Sequence, residues 1–277
     1  MGLLSARKIS EYYEAFRTKE LTFSKDTIQA TGLLPEHVHL KCGSDFWPCV
    51  FSSTSLECAR VVANVHSGLP AKLASVKNSV SLRLSFRNPD GKGKPVTFFI
   101  AGRISGSVPH KGSEDISLMS IQFTQRPPDD FIEIVGRVLD AFVNSAKRKD
   151  ERLIVTPEFQ RRIKLVSRES FISIQKVPRR CIIRDISFSG SKLILMGVGK
   201  FLVEKEATLR MDFEEPRESF LLAGTFVRCE DVEGKQGMAA VALEYDKAQI
   251  PTGYKMRINE YLGTVRADSR TPPPQPN

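Results

Sequence analysis

Apolar and polar positions along the chain change period from one stretch to the next, and the changes mark the elements. Residues 9–16 place Tyr12, Tyr13 and Phe16 at helical spacing. Residues 24–32 read as a second short helix, opened by Ser24 as a cap and closed by Gly32. Strands rich in Val, Ile and Phe with partial alternation are predicted at 38–41, 48–52, 59–65, 80–86, 96–104 and 117–123. The run Asn88-Pro-Asp-Gly-Lys-Gly-Lys94 reads as a turn between two of them. Beyond the prolines at 127 and 128, Ile134, Val135, Val138, Leu139, Phe142 and Val143 give a helix over 130–146 one apolar face.

The second half follows the same plan. Strands are predicted at 152–156, 171–175, 180–186, 192–196, 207–213, 220–227 and 238–245, then a helix over 250–262 carrying Tyr254, Ile258, Tyr261 and Leu262. The repetition reaches single residues. Setting Cys49 on Cys181 lays Trp47–Cys58 under Arg179–Gly190. Leu82-Arg-Leu-Ser-Phe-Arg-Asn-Pro89 lies under Leu209-Arg-Met-Asp-Phe-Glu-Glu-Pro216, Phe98-Phe-Ile-Ala-Gly102 under Phe220-Leu-Leu-Ala-Gly224, and Ile121-Gln-Phe123 under Leu243-Glu-Tyr245. Four blocks in one order predict a mainly β protein with accessory helices. It is built as two tandem six- to seven-stranded antiparallel β-barrels, each followed by a helix. The expected boundaries are 1–146 for the first barrel with its helix, 147–152 for a basic connector, 153–263 for the second barrel and 264–277 for a disordered tail.

Composition narrows the chemistry. With 277 residues, 41% of them hydrophobic, the chain can bury a sizeable core. A formal charge of +9 favours anionic partners. The five cysteines are Cys42, Cys49, Cys58, Cys181 and Cys229, with no Cys-x-x-Cys pair, which fits reduced thiols in a cytoplasmic setting. His37, His39 and Cys42 are too few ligands for an expected metal site, and no cofactor is expected. No apolar run is long enough to span a bilayer. There is no glycine-rich phosphate loop and no recognisable acid–base pair, so an enzyme is not expected.

Two segments stand apart. Arg148-Lys-Asp-Glu-Arg152 has two arginines four apart, and Asp185-Ile-Ser187-Phe-Ser-Gly190 has the form Asp-x-Ser-x-x-Gly. Alone, the first reads as a solvated linker and the second as a hairpin turn. Together and in this order they resemble the signature of PilZ domains, bacterial receptors for the second messenger cyclic di-GMP. The chemistry suits such a ligand. A guanidinium meets the O6 and N7 edge of guanine with two hydrogen bonds and also pairs with phosphate. Asp185 offers acceptors to guanine N–H groups, Ser187 a hydroxyl for a phosphate oxygen, and Gly190 a backbone able to turn or crowd. The resemblance implies that Arg148, Arg152, Asp185, Ser187 and Gly190 contact or shape the site, with Lys147, Lys149, Arg184 and Ser189 as additional candidates.

The first half lacks this set. Ser53 and Cys58 stand in the places of Asp185 and Gly190, only Ser55 matches Ser187, and no Arg-x-x-x-Arg precedes them. A degenerate barrel ahead of a complete one looks like the two-domain PilZ receptors of spirochaetes. The resemblance departs in one respect: the interval from Arg152 to Asp185 is long, and includes the basic helical run 159–164 with Arg161, Arg162 and Lys164. The implied protein is a monomeric cytoplasmic receptor that changes domain arrangement and acts on a downstream partner in motility or gene regulation. The rival reading is a nucleic-acid-binding β-barrel protein, with Trp47 and Phe51 as a stacking platform.

Overall fold

The structure is a computed structural model and describes residues 5–66, 68–88, 93–110, 112–113, 115–197, 201–235 and 237–270, without the side chains of 267–270. The chain divides into two compact units after Leu139.

The first unit begins with helix α1 (Ala6–Phe16), strand β1 (Leu21–Thr22) and helix α2 (Lys25–Thr31). Strands β2 (His39–Cys42), β3 (Asp45–Thr54) and β4 (Cys58–Asn64) follow, then helix α3 (Leu69–Ser75), then β5 (Ser79–Phe86), β6 (Val96–Pro109) and β7 (Ile116–Phe123). The strand order β3-β2-β5-β6-β7-β4 closes through a β3–β4 pairing, giving a six-stranded antiparallel barrel with β1 added alongside β3. Helix α4 (Asp129–Lys147) runs across the boundary between the units.

The second unit repeats the list: β8 (Leu153–Ile154), α5 (Pro157–Ile163), β9 (Glu169–Ile174), β10 (Val177–Ile186), β11 (Gly190–Met196), β12 (Glu206–Phe213), β13 (Glu218–Asp231), β14 (Met238–Tyr245) and α6 (Thr252–Arg270). Here β10-β9-β12-β13-β14-β11 closes through β10–β11, and β8 adds to β10. Alternation drives both barrels. In β3, Cys49 and Phe51 are buried while Val50 is exposed; in β10, Cys181 and Ile183 are buried while Arg180 and Arg184 are exposed. Inward residues such as Ile172, Leu193, Leu209, Phe213, Val241 and Leu243 form the second core.

The internal repeat extends to hydrogen bonds. Both β3 and β10 change register near their ends, between Phe51 and Ser53 and between Ile183 and Asp185. Helices α2 and α5 are matched as well. Ser24 and Thr156 cap them by accepting from Thr27 N–H and Phe159 N–H, and each ends on a left-handed residue, Gly32 or Lys164. The basic run 159–164 is therefore part of the plan shared by both barrels, since α2 stands in its place in the first. Its charges are engaged at the surface, Lys164 with Glu215 at 2.7 Å and Arg162 with Glu158 at 3.4 Å.

Three expectations are corrected. Phe51 is buried against Phe23, with ring centroids 4.5 Å apart, so it offers no stacking surface. Residues 264–270, expected in a disordered tail, continue α6. Residues 152–156, expected as a full strand, pair only over Leu153 and Ile154. Residues 271–277 lie outside the described residues. No helix among the described residues is long and apolar enough to cross a membrane.

Candidate functional site

The connector enters the second unit at the end of α4. Arg148 N–H still donates to Asn144 O at 2.9 Å, and Glu151 N–H then closes a turn on Arg148 O at 3.1 Å. Strand β8 pairs antiparallel with the end of β10, Leu153 opposite Ile186 and Ile154 opposite Asp185. That short pairing carries Arg152, the residue before β8, to Asp185. Arg152 Nη1 donates to Asp185 Oδ1 at 2.6 Å. The aspartate side chain is 15% exposed and the arginine 51%, so a mostly covered carboxylate holds a guanidinium whose other face is open to solvent.

Beyond β10 the chain folds tightly over 187–190. Ser187 N–H donates to Gly190 O at 2.8 Å. The Ser187 hydroxyl accepts from Ser189 N–H at 3.3 Å and Gly190 N–H at 3.1 Å, and donates to Gly190 O at 3.1 Å. Ser187 is fully buried. Its hydroxyl, expected to face a phosphate, is committed inside the turn and fixes the turn's shape. Ser189 faces outward instead, and its hydroxyl donates to Lys149 O at 2.7 Å, tying the connector to the turn. Gly190 is required by crowding rather than by a left-handed backbone. A Cβ there would lie 2.4 Å from Leu243 O on the neighbouring strand.

Arg152, Asp185, Ser189 and the backbone of Lys149 are thus brought together within one unit. Arg148 points elsewhere, its guanidinium 3.6 Å from Glu151. Lys149 lies 4.0 Å from Asp150. Arg184 is exposed on β10, its carbonyl accepting from Val155 N–H at 2.8 Å. Lys147 closes α4. Sequence reasoning missed Tyr254, which read only as a core residue of a helix; its buried hydroxyl donates to Ser187 O at 2.8 Å.

The first barrel builds the same turn with other residues. Ser55 N–H donates to Cys58 O at 2.8 Å, and the Ser55 hydroxyl accepts from Glu57 N–H and Cys58 N–H, both at 3.1 Å. No guanidinium–aspartate pair accompanies it, since Ser53 holds the place of Asp185.

Comparison with known proteins gives the family. The family model for the PilZN3 domain matches residues 7–142. A relative from Treponema denticola, described as a cyclic di-GMP binding protein, is 38% identical over 267 residues, 96% of this chain and 85% of that protein. The chain belongs to the two-domain PilZ-type family. Among solved structures, Borreliella burgdorferi PlzA in complex with c-di-GMP overlaps it with a TM-score of 0.42 at 23% identity, covering 93% of this chain and 99% of that one. The Bacillus subtilis inhibitor of motility MotI/DgrA overlaps with a TM-score of 0.32 at 14% identity, covering 86% and 99%. In PilZ terms, the paired arginines and the Asp-x-Ser-x-x-Gly turn lie in the second PilZ barrel and the connector leading into it.

Proposed function

We propose that the chain is a receptor for cyclic di-GMP, taking the nucleotide on the second PilZ barrel between the connector and the 185–190 turn. The observation that carries this is the Arg152–Asp185 pair at 2.6 Å, set beside a turn held to the connector by Ser189. An arginine oriented by a carboxylate presents its remaining N–H groups in a fixed fork, suited to a guanine edge or a phosphodiester. Asp185 keeps acceptor capacity for guanine N–H groups. Arg148 would leave Glu151 to close over the ligand. The identity to the Treponema denticola protein supports the same ligand.

The connector is also the moving part in this reading. Lys147, Arg148, Lys149 and Arg152 crowd four cations into six residues, only partly offset by Asp150 and Glu151. A doubly charged nucleotide neutralises them and pins the connector to the barrel. Each charge-assisted hydrogen bond formed only in the bound state contributes about 1.5–3 kcal/mol, and a few such bonds shift a two-state equilibrium decisively. The change in connector setting is the signal to a downstream protein, and the nucleotide leaves unaltered. Calorimetric titration with cyclic di-GMP, with GMP and cyclic di-AMP as controls, tests the reading. Saturable binding of cyclic di-GMP alone, lost in Arg152→Ala and Asp185→Ala, is expected. Absence of binding by the native chain would sink it. Small-angle scattering with and without nucleotide tests the connector's role, and an unchanged envelope at saturation counts against it.

A further inference from the structure

Both barrels carry a buried carbonyl in the turn after the bulged strand, and they satisfy it differently. In the first, Ser55 O accepts from Thr54 Oγ1 at 2.7 Å, a donor from the adjacent residue. In the second, Ile186 stands in the place of Thr54, and Ser187 O accepts from Tyr254 Oη, 67 residues further along on α6. A buried carbonyl requires a donor. The second barrel has therefore replaced a local donor by one on a separate helix.

The layer beneath the turn follows the same division. In the first barrel Phe131 meets Phe98 at 6.2 Å and 74°, and Phe123 at 6.4 Å and 79°. The counterparts are Tyr254 with Phe220 at 6.3 Å and 72°, and with Tyr245 at 5.9 Å and 83°. The ring packing is the same and two hydroxyls are added. Ala59, opposite Thr54 and Ile121, becomes Ser191, opposite Ile186 and Leu243. Three hydroxyls thus occur only in the barrel that carries Arg152 and Asp185. Those of Tyr245 and Ser191 are buried and lie against one another, with the Tyr254 hydroxyl also beside Tyr245. Packing does not demand them, because Ala59 and Phe123 fill the same places. Their position, under the candidate nucleotide turn, suggests a use tied to that turn.

We infer that Tyr254, backed by Tyr245 and Ser191, is a positioning residue that couples helix α6 to the Asp185–Gly190 turn. Helix α6 also holds the other side of the site. Asn259 accepts from Asn144 Nδ2 and donates to Asp140 Oδ2, both at 2.8 Å, and these two residues lie in the last turns of α4, just before the basic connector. One helix therefore grips both the turn and the root of the connector, so that closing one on a ligand bears on the other. This rests on the nucleotide reading above.

The test uses the full chain as native protein, Tyr254→Phe, and Tyr254→Phe combined with Ile186→Thr, which restores the local donor of the first barrel. Cyclic di-GMP affinity is read by calorimetry, and amide hydrogen exchange is read without nucleotide. Tyr254→Phe is expected to bind about tenfold more weakly, to melt cooperatively, and to lose protection at the Ser189 and Gly190 amides. The double variant is expected to regain most of the protection and affinity. Native affinity in Tyr254→Phe overturns the coupling, as does a loss that Ile186→Thr fails to repair in a cooperatively melting protein. Unchanged protection of the two amides in Tyr254→Phe overturns it even if the native chain takes no nucleotide, an outcome that would separately refute the ligand reading.

Discussion

Glu20 occupies in the first barrel the place that Arg152 occupies in the second. Each immediately precedes the two-residue strand that pairs with the end of the bulged strand, Leu21 opposite Thr54 and Leu153 opposite Ile186. Glu20 accepts from the Ser53 hydroxyl at 2.6 Å and from Arg60 Nη1 at 3.0 Å, whereas Arg152 donates to Asp185. One backbone position thus holds an anion in one copy and a cation in the other. A phosphodiester brought to the first site would face the Glu20 carboxylate, which already engages Arg60.

Arg152→Ala is accordingly expected to remove all cyclic di-GMP binding measurable by calorimetry at micromolar protein, with no residual stoichiometry from the first barrel. The loss in affinity should exceed about tenfold, as for a lost charge-assisted bond. Arg152→Lys should recover little, because an ammonium lacks the planar fork. Stability should fall by about 1–3 kcal/mol, because the substitution leaves a carboxylate only 15% exposed without its cation. A second binding event surviving in Arg152→Ala would show that the Glu20 site is competent after all.

Two glycines separate crowding from flexibility. Gly190→Ala drives a Cβ to 2.4 Å from Leu243 O, so β11 and β14 must part. Destabilisation of about 1–3 kcal/mol is expected, together with weakened nucleotide binding. Gly263 lies on the exposed side of α6 with open space around its Cα. Gly263→Ala is expected to stabilise by about 0.5–1 kcal/mol through helix propensity. Urea denaturation of the two variants checks both signs.

Much of this architecture is legible in the chain because alternation is strong where strands are half buried and because each half is a template for the other. What escaped is short or context-bound. Helix α3, Leu-Pro-Ala-Lys-Leu-Ala-Ser after Gly68, has only seven residues and a proline in its first turn, so it reads as a loop. The parity that buries Cys49 also buries Phe51, and the exposed aromatics lie on the opposite, outward face, Phe46 on β3 and Phe99 on β6. The Asp-x-Ser-x-x-Gly motif is visible as letters, but the inward direction of the Ser187 hydroxyl follows from a turn only four residues long. Tyr254 looks like any core aromatic on a helix until it is set against Phe131.

The thiols give a pH dependence of definite sign. Burial pushes Cys49 and Cys181 up to about 12, from 9.0 in an open chain. The folded state therefore keeps these protons when the unfolded state has lost them. The associated stability is fully present below pH 9.0 and declines as pH rises towards 12. The slope is at most about 1.4 kcal/mol per pH unit per thiol. Urea midpoints between about pH 8 and 10.5 should fall, and Cys181→Ala, whatever its cost at neutral pH, should show a shallower fall over the same interval. An equal slope in the variant would remove Cys181 from the account.

The three-residue ring at the junction of α4 and α6 can be probed by changing charge without changing shape. Asn144 Nδ2 donates to Asp140 Oδ1 at 3.1 Å and to Asn259 Oδ1 at 2.8 Å, while Asn259 Nδ2 donates to Asp140 Oδ2 at 2.8 Å. Asn259→Ala deletes two partners and leaves the half-buried groups of Asp140 and Asn144 partly unsatisfied, a loss of about 1–3 kcal/mol. Asn259→Asp is nearly isosteric but turns a donor into a carboxylate facing Asp140. Repulsion at hydrogen-bond distance in a partly covered site should make it the more destabilising of the two at pH 7. Protonation relieves the repulsion, so the gap between the variants should close or reverse near pH 4. Equal midpoints for the two variants at both pH values would mean that the ring contributes through packing alone, and that α6 is not held to the connector's root by these amides.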